Sequence, residues 1–273
     1  MQVNKLTADT ASLREPLESI LRDAGEIALE TSRRDFKRWT KGHDNSPVSE
    51  GDLAVNAFLQ AQLPALMPGA GWLSEETEDE PGARAADTIW IVDPIDGTRA
   101  YITSRPDWTI CVALVTNGRP QLAGIYAPVT GDMYIAAAGL GATRNGAAIG
   151  VSAGADLTGA RLAGPRRYID RLAKLSPDAK PQPKIYSLAL RLTRVADGTL
   201  EVALSSAGSH DWDLAAADLL IHEAGGVLTD IAGGALRYNQ PDTTHGALIA
   251  SSPERHRIVV GQVRDRLLEF DTL

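Results

Sequence analysis

The sequence predicts a mixed α+β / α/β fold, and three observations carry that prediction. Two stretches before residue 67 repeat their apolar residues with the spacing of amphipathic helices. Between residues 88 and 148, short apolar runs alternate with Asn-Gly turns, the pattern of an antiparallel meander. After residue 152, short apolar runs alternate with helical stretches, the pattern of an α/β unit. The expected division is residues 1–151 and 152–273. No repeat, low-complexity tract or long linker separates the two, so they should share a broad interface.

A chain of 273 residues with 44% hydrophobic and 23% charged residues has the balance of a soluble globular protein with a substantial core. Its net charge of −8 argues against a nucleic-acid backbone or an anionic membrane as the main partner. One cysteine, Cys111, excludes an intrachain disulfide and suits a reducing compartment. Its apolar neighbours, Trp108 to Val115, make it a buried strand residue rather than a nucleophile. No signal pattern opens the chain and no apolar run nears ~18 residues, so a cytoplasmic protein without stable membrane insertion is expected.

The first helix is predicted over residues 12–31, with Leu13, Leu17, Ile20, Leu21, Ala24 and Ala28 on one face and a capping box from Ser12 and Glu15. Residues 39–48 are polar and turn-rich and read as a candidate mobile lid. A second helix should run from Ser49 to about Leu66, with Leu53, Phe58, Leu59, Leu63 and Leu66 on its apolar side. Strands follow at Thr88–Val92, Thr109–Val115 and Gln121–Tyr126, and a run from Met133 to Thr143 leads to Asn145-Gly146. Beyond residue 152 lie short apolar runs at Ala160–Ala163, Lys184–Ser187 and Thr199–Leu204, with a short helix over Ala189–Val195. A helix over Asp211–Ala224 ends at Gly225-Gly226, and a last helix starts at Ser252-Pro253-Glu254.

One stretch stands apart chemically. The run Thr88-Ile-Trp-Ile-Val92 enters Asp93-Pro-Ile-Asp96-Gly97-Thr98, and Pro94 should end the strand. Two carboxylates at a strand end serve equally as turn caps or as ligands. Asp52, Glu75 and Asp213 are similarly double-valued: a helix cap, part of a solvated acidic run, and a first-turn dipole charge. Oxygen donors of this kind suit a hard divalent cation, and the sequence lacks the His/Cys grouping of a zinc site.

Leu-Ser-Glu75-Glu76, Trp-Ile-Val-Asp93-Pro-Ile-Asp96-Gly97-Thr98, Asp211-Trp212-Asp213 and Glu223-Ala-Gly-Gly226 together resemble the inositol monophosphatase superfamily, in order and spacing. The resemblance implies an αβαβα layered sandwich and a lithium-sensitive phosphomonoesterase using two or three Mg²⁺ ions. It implies that Glu75, Asp93 and the Ile95 carbonyl hold one ion and that Asp93, Asp96 and Asp213 hold another, with Glu76 nearby. It further implies that Asp52 and Thr98 orient the attacking water, while Gly97 and Thr98 receive phosphate oxygens. The first half would then carry most metal ligands, and the second would add Asp213 and the specificity residues. A homodimer is possible by the same analogy.

Within the superfamily, Asp44–Asp52, Gly124–Val129 and Leu236–Asn239 look more like the bacterial 3′(2′),5′-bisphosphate nucleotidase branch, which places the substrate in sulfur metabolism. Ser206 stands where inositol monophosphatases carry a carboxylate for an inositol hydroxyl. Arg191 falls where the nucleotidases often carry a lysine, and either meets a second phosphate or is a surface arginine; Arg166 and Arg167 are weaker candidates. The expected substrate is 3′-phosphoadenosine 5′-phosphate. The alternatives are an inositol or other polyol phosphate and, from another class, a non-catalytic regulator binding protein or RNA.

Overall fold

The computed structural model describes residues 10–41, 46–78 and 82–264. Helix α1 (Arg14–Ser32) comes first, then a two-stranded antiparallel ribbon of β1 (Arg38–Lys41) and β2 (Ser46–Ser49), then α2 (Glu50–Leu66). A seven-stranded sheet follows: β3 (Gly71–Ser74), β4 (Thr88–Asp96), β5 (Thr109–Thr116), β6 (Arg119–Ala127), β7 (Asp132–Ala137), β8 (Ala142–Arg144) and β9 (Ala147–Ala148), with a one-turn helix α3 (Thr98–Tyr101) between β4 and β5. Strands β3 and β4 run parallel and every later neighbour is antiparallel.

The second half contains β10 (Arg161–Ala163), α4 (Arg166–Leu175), β11 (Lys180–Pro181), α5 (Leu188–Ala196), β12 (Val202–Ser205), β13 (Ser209–His210), α6 (Asp211–Glu223), β14 (Val227–Asp230), β15 (Thr244–His245), β16 (Leu248–Ser251) and α7 (Pro253–Arg264). Its main sheet has the order β11-β10-β12-β16-β14, and β13 pairs with β15 apart from it.

The layering follows from strand alternation. Trp90, Val92, Ile110, Val112 and Leu114 pack with Leu17, Leu21, Leu59 and Leu63 of α1 and α2. Their sequence neighbours Ile89, Ile91, Cys111, Ala113 and Val115 face the other way, onto Leu192 and Val195 of α5 and Leu214, Leu220 and Ile221 of α6. Ala203 and Ala250 of the second sheet join that central cluster, whereas Val202, Leu204 and Ile249 face an outer cluster with Tyr168, Leu172 and Val259 of α4 and α7. The result is helix–sheet–helix–sheet–helix, the αβαβα order. Each fully buried Leu contributes roughly 1.5–3 kcal/mol, so α1 and α2 are held by packing more than by intrinsic helix propensity.

Several expectations need correction. The first helix begins at Arg14 with Leu13 in the cap position and no side-chain cap bond, because residues 10–12 already turn helically; the box from Ser12 and Glu15 is not used. Leu53 is 42% exposed. Helix α2 instead turns Asp52 and Asn56 inward, where Asn56 accepts from the Ser74 hydroxyl, and that rotation carries Leu53 out. Residues 39–41 and 46–48 lie in the β1/β2 ribbon, and residues 42–45 of the expected lid fall outside the described residues. The run Met133–Thr143 breaks at Gly139 and Gly141, both at positive φ, whose N–H groups donate to the Glu223 carboxylate. Lys184–Ser187 forms no strand; it leads from β11 to α5, with the Tyr186 and Ser187 N–H groups donating to Asp107.

The most consequential correction concerns β4. It does not stop at Pro94 but continues to Asp96 through a bulge: Asp93 pairs with Cys111 and Asp96 with Thr109, leaving one residue in excess on β4. A bulge leaves a backbone position unpaired, which is where a proline without an N–H is tolerated.

Candidate active site

Two parallel strand ends deliver the first carboxylates. Ser74 of β3 pairs with Val92 of β4, and the Glu75 N–H donates to the Val92 carbonyl, so Glu75 and Asp93 leave the sheet side by side. After the bulge, Asp96 returns beside Asp93, and the Ile95 N–H donates to Asp93 Oδ1 at 3.0 Å. From the second half, α6 brings Asp213 at its third position, where the His210 N–H donates to Asp213 Oδ2 at 2.6 Å. Each of Asp93, Asp96 and Asp213 offers a carboxylate oxygen within 4.8 Å of the others.

These residues line a cleft of about 230 Å³ together with Glu75, Ile95, Gly97 and Thr98. Asp52 sits behind it, fully buried, with Ser49 N and Oγ donating to Oδ2 at 2.8 and 2.6 Å and the Thr98 hydroxyl 3.1 Å from Oδ1. The cap reading of Asp52 therefore holds alongside its place at the site, and Asp213, read as a first-turn charge, also closes a capping box. Gly97 supplies the left-handed backbone (φ +93°) that turns the chain from Asp96 to Thr98; an added Cβ would lie 3.1 Å from the Asp107 carbonyl oxygen and the Ser187 nitrogen.

Burial and mutual repulsion raise the carboxyl pKa values. Asp93 rises well above the ordinary range through burial, then through Glu75, Asp96 and Asp213; Asp213 rises by burial and by Asp96. Burial takes Asp52 and Asp96 to about 6 and Glu76 to about 7, against the hydrogen bonds that stabilise their ionised forms. Among the described residues, no Lys or Arg forms an ion pair with Asp93, Asp96 or Asp213. Three crowded carboxylates without an ion-paired Lys or Arg form an all-oxygen donor set, which fits hard divalent cations such as Mg²⁺.

A second cavity of about 810 Å³ is lined by Arg191, Ser206 and Arg166 with apolar walls from Pro165, Ile169, Pro181 and Pro183. Lys184 lines both cavities. The Arg191 Nε is buried without a hydrogen-bond partner, and burial lowers the pKa of that guanidinium while Asp96 pulls it back. Arg167 is not among the lining residues; its guanidinium lies over the Tyr168 ring. Glu76 lines neither cavity and pairs with Lys41 Nζ at 2.5 Å.

Sequence reasoning passed over several residues at the site. Lys41 bonds both Glu75 (3.2 Å) and Glu76, and although burial works against its ammonium, the two glutamates hold its pKa above the ordinary value. Arg99, Lys184 and Tyr186 line the cleft, with Lys184 Nζ 4.3 Å from the Tyr186 ring centroid. Ser187 donates to Asp96. Of these only Ser187 carries a readable signal, as a serine immediately before a helical run.

The sequence and fold have known counterparts. The profile described as the inositol monophosphatase family matches residues 9–267. The Nus factor SuhB of Salmonella typhimurium is 30% identical over 232 residues, covering 82% of this chain and 84% of that protein. A 3′(2′),5′-bisphosphate nucleotidase CysQ of Aggregatibacter actinomycetemcomitans is 30% identical over 218 residues, 73% of this chain and 78% of that one. A histidinol-phosphatase of Chlorobaculum parvum is 31% identical over 221 residues, 77% and 82%. Among solved structures, the Thermotoga maritima IMPase superposes with a TM-score of 0.82 at 25% identity, covering 94% of this chain and 98% of that one. An IMPase/NADP phosphatase solved with Mg²⁺ and phosphate gives 0.82 at 22%, covering 93% and 95%. The chain belongs to the inositol monophosphatase family, whose members are phosphatases that hydrolyse phosphomonoesters.

Proposed function

We propose that this phosphatase removes one phosphate from a 3′(2′),5′-bisphosphorylated nucleoside, converting 3′-phosphoadenosine 5′-phosphate to AMP. The observation that carries this reading is the pairing of a three-aspartate cluster in the cleft with a neighbouring cavity lined by Arg191, whose Nε has no partner. A buried guanidinium edge lacking an acceptor is suited to a second anionic group, and a polyol carrying a single phosphate would leave it unmatched. The Pro165, Ile169, Pro181 and Pro183 walls suit a flat apolar moiety such as a nucleobase. Ser206, in the same cavity, offers a hydroxyl where a polyol site would use a carboxylate.

In this reading Glu75, Asp93, Asp213, Asp96 and the Ile95 carbonyl would hold two or three Mg²⁺ ions, which when bound would neutralise phosphate charge and acidify the attacking water. The chain's own residues do the rest. The Thr98 hydroxyl accepts from that water and passes its own proton toward Asp52, whose pKa of about 6 leaves it ionised and ready to accept near neutral pH. Gly97 and Thr98 cradle the phosphate oxygens, and Arg99 and Lys184 add positive charge along the cleft. The chemistry is positioning and electrostatics, as phosphoryl transfer requires.

The test is phosphate release from adenosine 3′,5′-bisphosphate, inositol 1-phosphate, histidinol phosphate and fructose 1,6-bisphosphate, with Mg²⁺ and with or without Li⁺. The nucleotide should give the highest kcat/KM, and Li⁺ should inhibit. Preference for the inositol ester by about tenfold, roughly 1.4 kcal/mol of transition-state binding, would overturn the substrate reading. One relative is named as a Nus factor, which favours a second reading as a regulator binding protein or RNA. That reading gains if Asp93→Asn, inactive as a phosphatase, leaves the chain's cellular role intact.

A further inference from the structure

Asp96 is gripped from the other half of the molecule. Its Oδ2 accepts two short hydrogen bonds, from the Ser187 hydroxyl at 2.5 Å and the Ala189 N–H at 2.6 Å, while Oδ1 accepts one long bond from the Leu188 N–H at 3.2 Å. Ser187 is fully buried, and its hydroxyl also accepts from the Leu190 N–H at 2.9 Å as the N-cap of α5. The Thr109 hydroxyl lies 3.0 Å away. A serine hydroxyl has one proton to give and two lone pairs. With the proton committed to a carboxylate, the polarity is fixed: Leu190 N–H and Thr109 O–H donate to Ser187, and Ser187 donates to Asp96. Oδ2 is thereby saturated, and Oδ1 keeps the acceptor capacity.

We infer that Ser187 is a positioning residue that fixes the rotation of the Asp96 carboxylate so that Oδ1 is the oxygen offered to a cation at the Asp93–Asp96–Asp213 cluster. The inference rests on Asp96 being a metal ligand. Asp96 and Ser187 are 91 residues apart, and the Ser187 N–H is itself anchored on the Asp107 carbonyl at 3.1 Å, so the grip comes with the docking of one half on the other. The same hydroxyl starts the helix whose first turn bears Arg191, and Arg191 N–H donates to the Ser187 carbonyl at 3.2 Å. One side chain therefore sets both the metal-side carboxylate and the start of the helix that lines the alcohol-side cavity. Without its hydroxyl, Asp96 keeps only the two amides, one of them long, and is held less tightly about its Cβ–Cγ bond. Outer partners of this kind typically tune metal affinity by about tenfold or more.

The experiment measures Mg²⁺ binding to the full chain by isothermal titration calorimetry without substrate, with thermal melts of the metal-free protein alongside. Glycine caps a helix nearly as well as serine, so Ser187→Gly removes the bond to Asp96 while sparing the start of α5. Ser187→Gly and Ser187→Ala should weaken Mg²⁺ binding roughly tenfold, Ser187→Thr should restore most of it, and excess Mg²⁺ should recover part of the lost turnover. Wild-type Mg²⁺ affinity in a folded Ser187→Gly or Ser187→Ala chain overturns the inference, as does a loss of turnover with Mg²⁺ affinity unchanged. Failure of the wild-type chain to bind Mg²⁺, or unchanged binding in Asp93→Asn, overturns instead the reading of the cluster as a metal site.

Discussion

The Thr98 hydroxyl stands 3.1 Å from Asp52 Oδ1, and it separates a fully buried carboxylate from the cleft that Thr98 itself lines. In the proposed reaction Asp52 would therefore reach the attacking water through Thr98. The Ile95 carbonyl, also 3.1 Å from that hydroxyl, is a competing acceptor for its single proton, and the ionised carboxylate is the stronger one.

Asp52→Asn and Thr98→Ala should each lower kcat by roughly 10²–10³ with little change in KM, because each breaks one proton relay. The double variant should be scarcely worse than either single one, since both belong to one unit. Steady-state phosphate release decides it; multiplicative losses would mean that the two act separately.

Asp93→Asn should abolish turnover and leave the metal-free chain at least as stable as wild type, because it removes charge from the most crowded carboxylate. Asp96→Asn should be inactive and also less stable, by about 1–3 kcal/mol, because an amide NH₂ would meet a site built of donors. Urea unfolding in EDTA separates the two, and equal midpoints would contradict the hydrogen-bond pattern around Asp96.

Much of the fold behind these contrasts was legible. The continuous apolar runs of β4 and β5 read as strands buried on both faces, and Asn117-Gly118 and Asn145-Gly146 both turn with positive φ at each residue, as tight hairpins demand. What escaped was non-local. Nothing near Asp96 in sequence announces that Ser187 will donate to it, and nothing in an amphipathic helix says that a buried Asp52 will rotate Leu53 into solvent. Pro94 misled because the local rule that ends a strand at proline does not see a bulge that has no use for the missing N–H. Lys184 was read as part of an apolar run, and its place between two cavities exists only in three dimensions.

The pH dependence of stability follows from the raised carboxyl pKa values. In the metal-free chain Asp52 and Asp96 titrate near 6 and Glu76 near 7, against ordinary values of 3.8 and 4.5. The folded state then holds protons that the unfolded chain has released, so these groups favour folding below about pH 4 and that contribution is lost as pH rises through 6 to 7. Mg²⁺ relieves the repulsion only where the carboxylates are ionised. The rise in Tm on adding Mg²⁺ should therefore be larger at pH 8 than at pH 5; scanning calorimetry giving the same rise at both would refute the linkage.

Arg191→Ala should raise KM for adenosine 3′,5′-bisphosphate by roughly tenfold, the equivalent of about 1.4 kcal/mol, and leave KM for a simple monophosphate unchanged. Its Nε has no partner to lose, so the metal-free chain should not be destabilised by losing a hydrogen bond there. Equal losses on both substrates would place Arg191 outside substrate recognition.

Gly97→Ala should cost about 1–2 kcal/mol from its φ of +93° alone, with the 3.1 Å approaches to Asp107 and Ser187 adding to it. Thermal melts of the metal-free variant read this directly, and an unchanged Tm would show that the turn has another conformation available.

The surplus residue in β4 has one more consequence. In an unbroken strand, positions three apart are of opposite parity and point to opposite faces. Asp93 and Asp96 are three apart, yet their carboxylates converge. The bulge acts as a phase shift, adding half a period so that two out-of-step side chains come into step. Pairing β4 through this stretch as a regular ladder at its present length would undo that shift and send one aspartate into the apolar packing behind the sheet. For this family member a smoother strand would be a dead one.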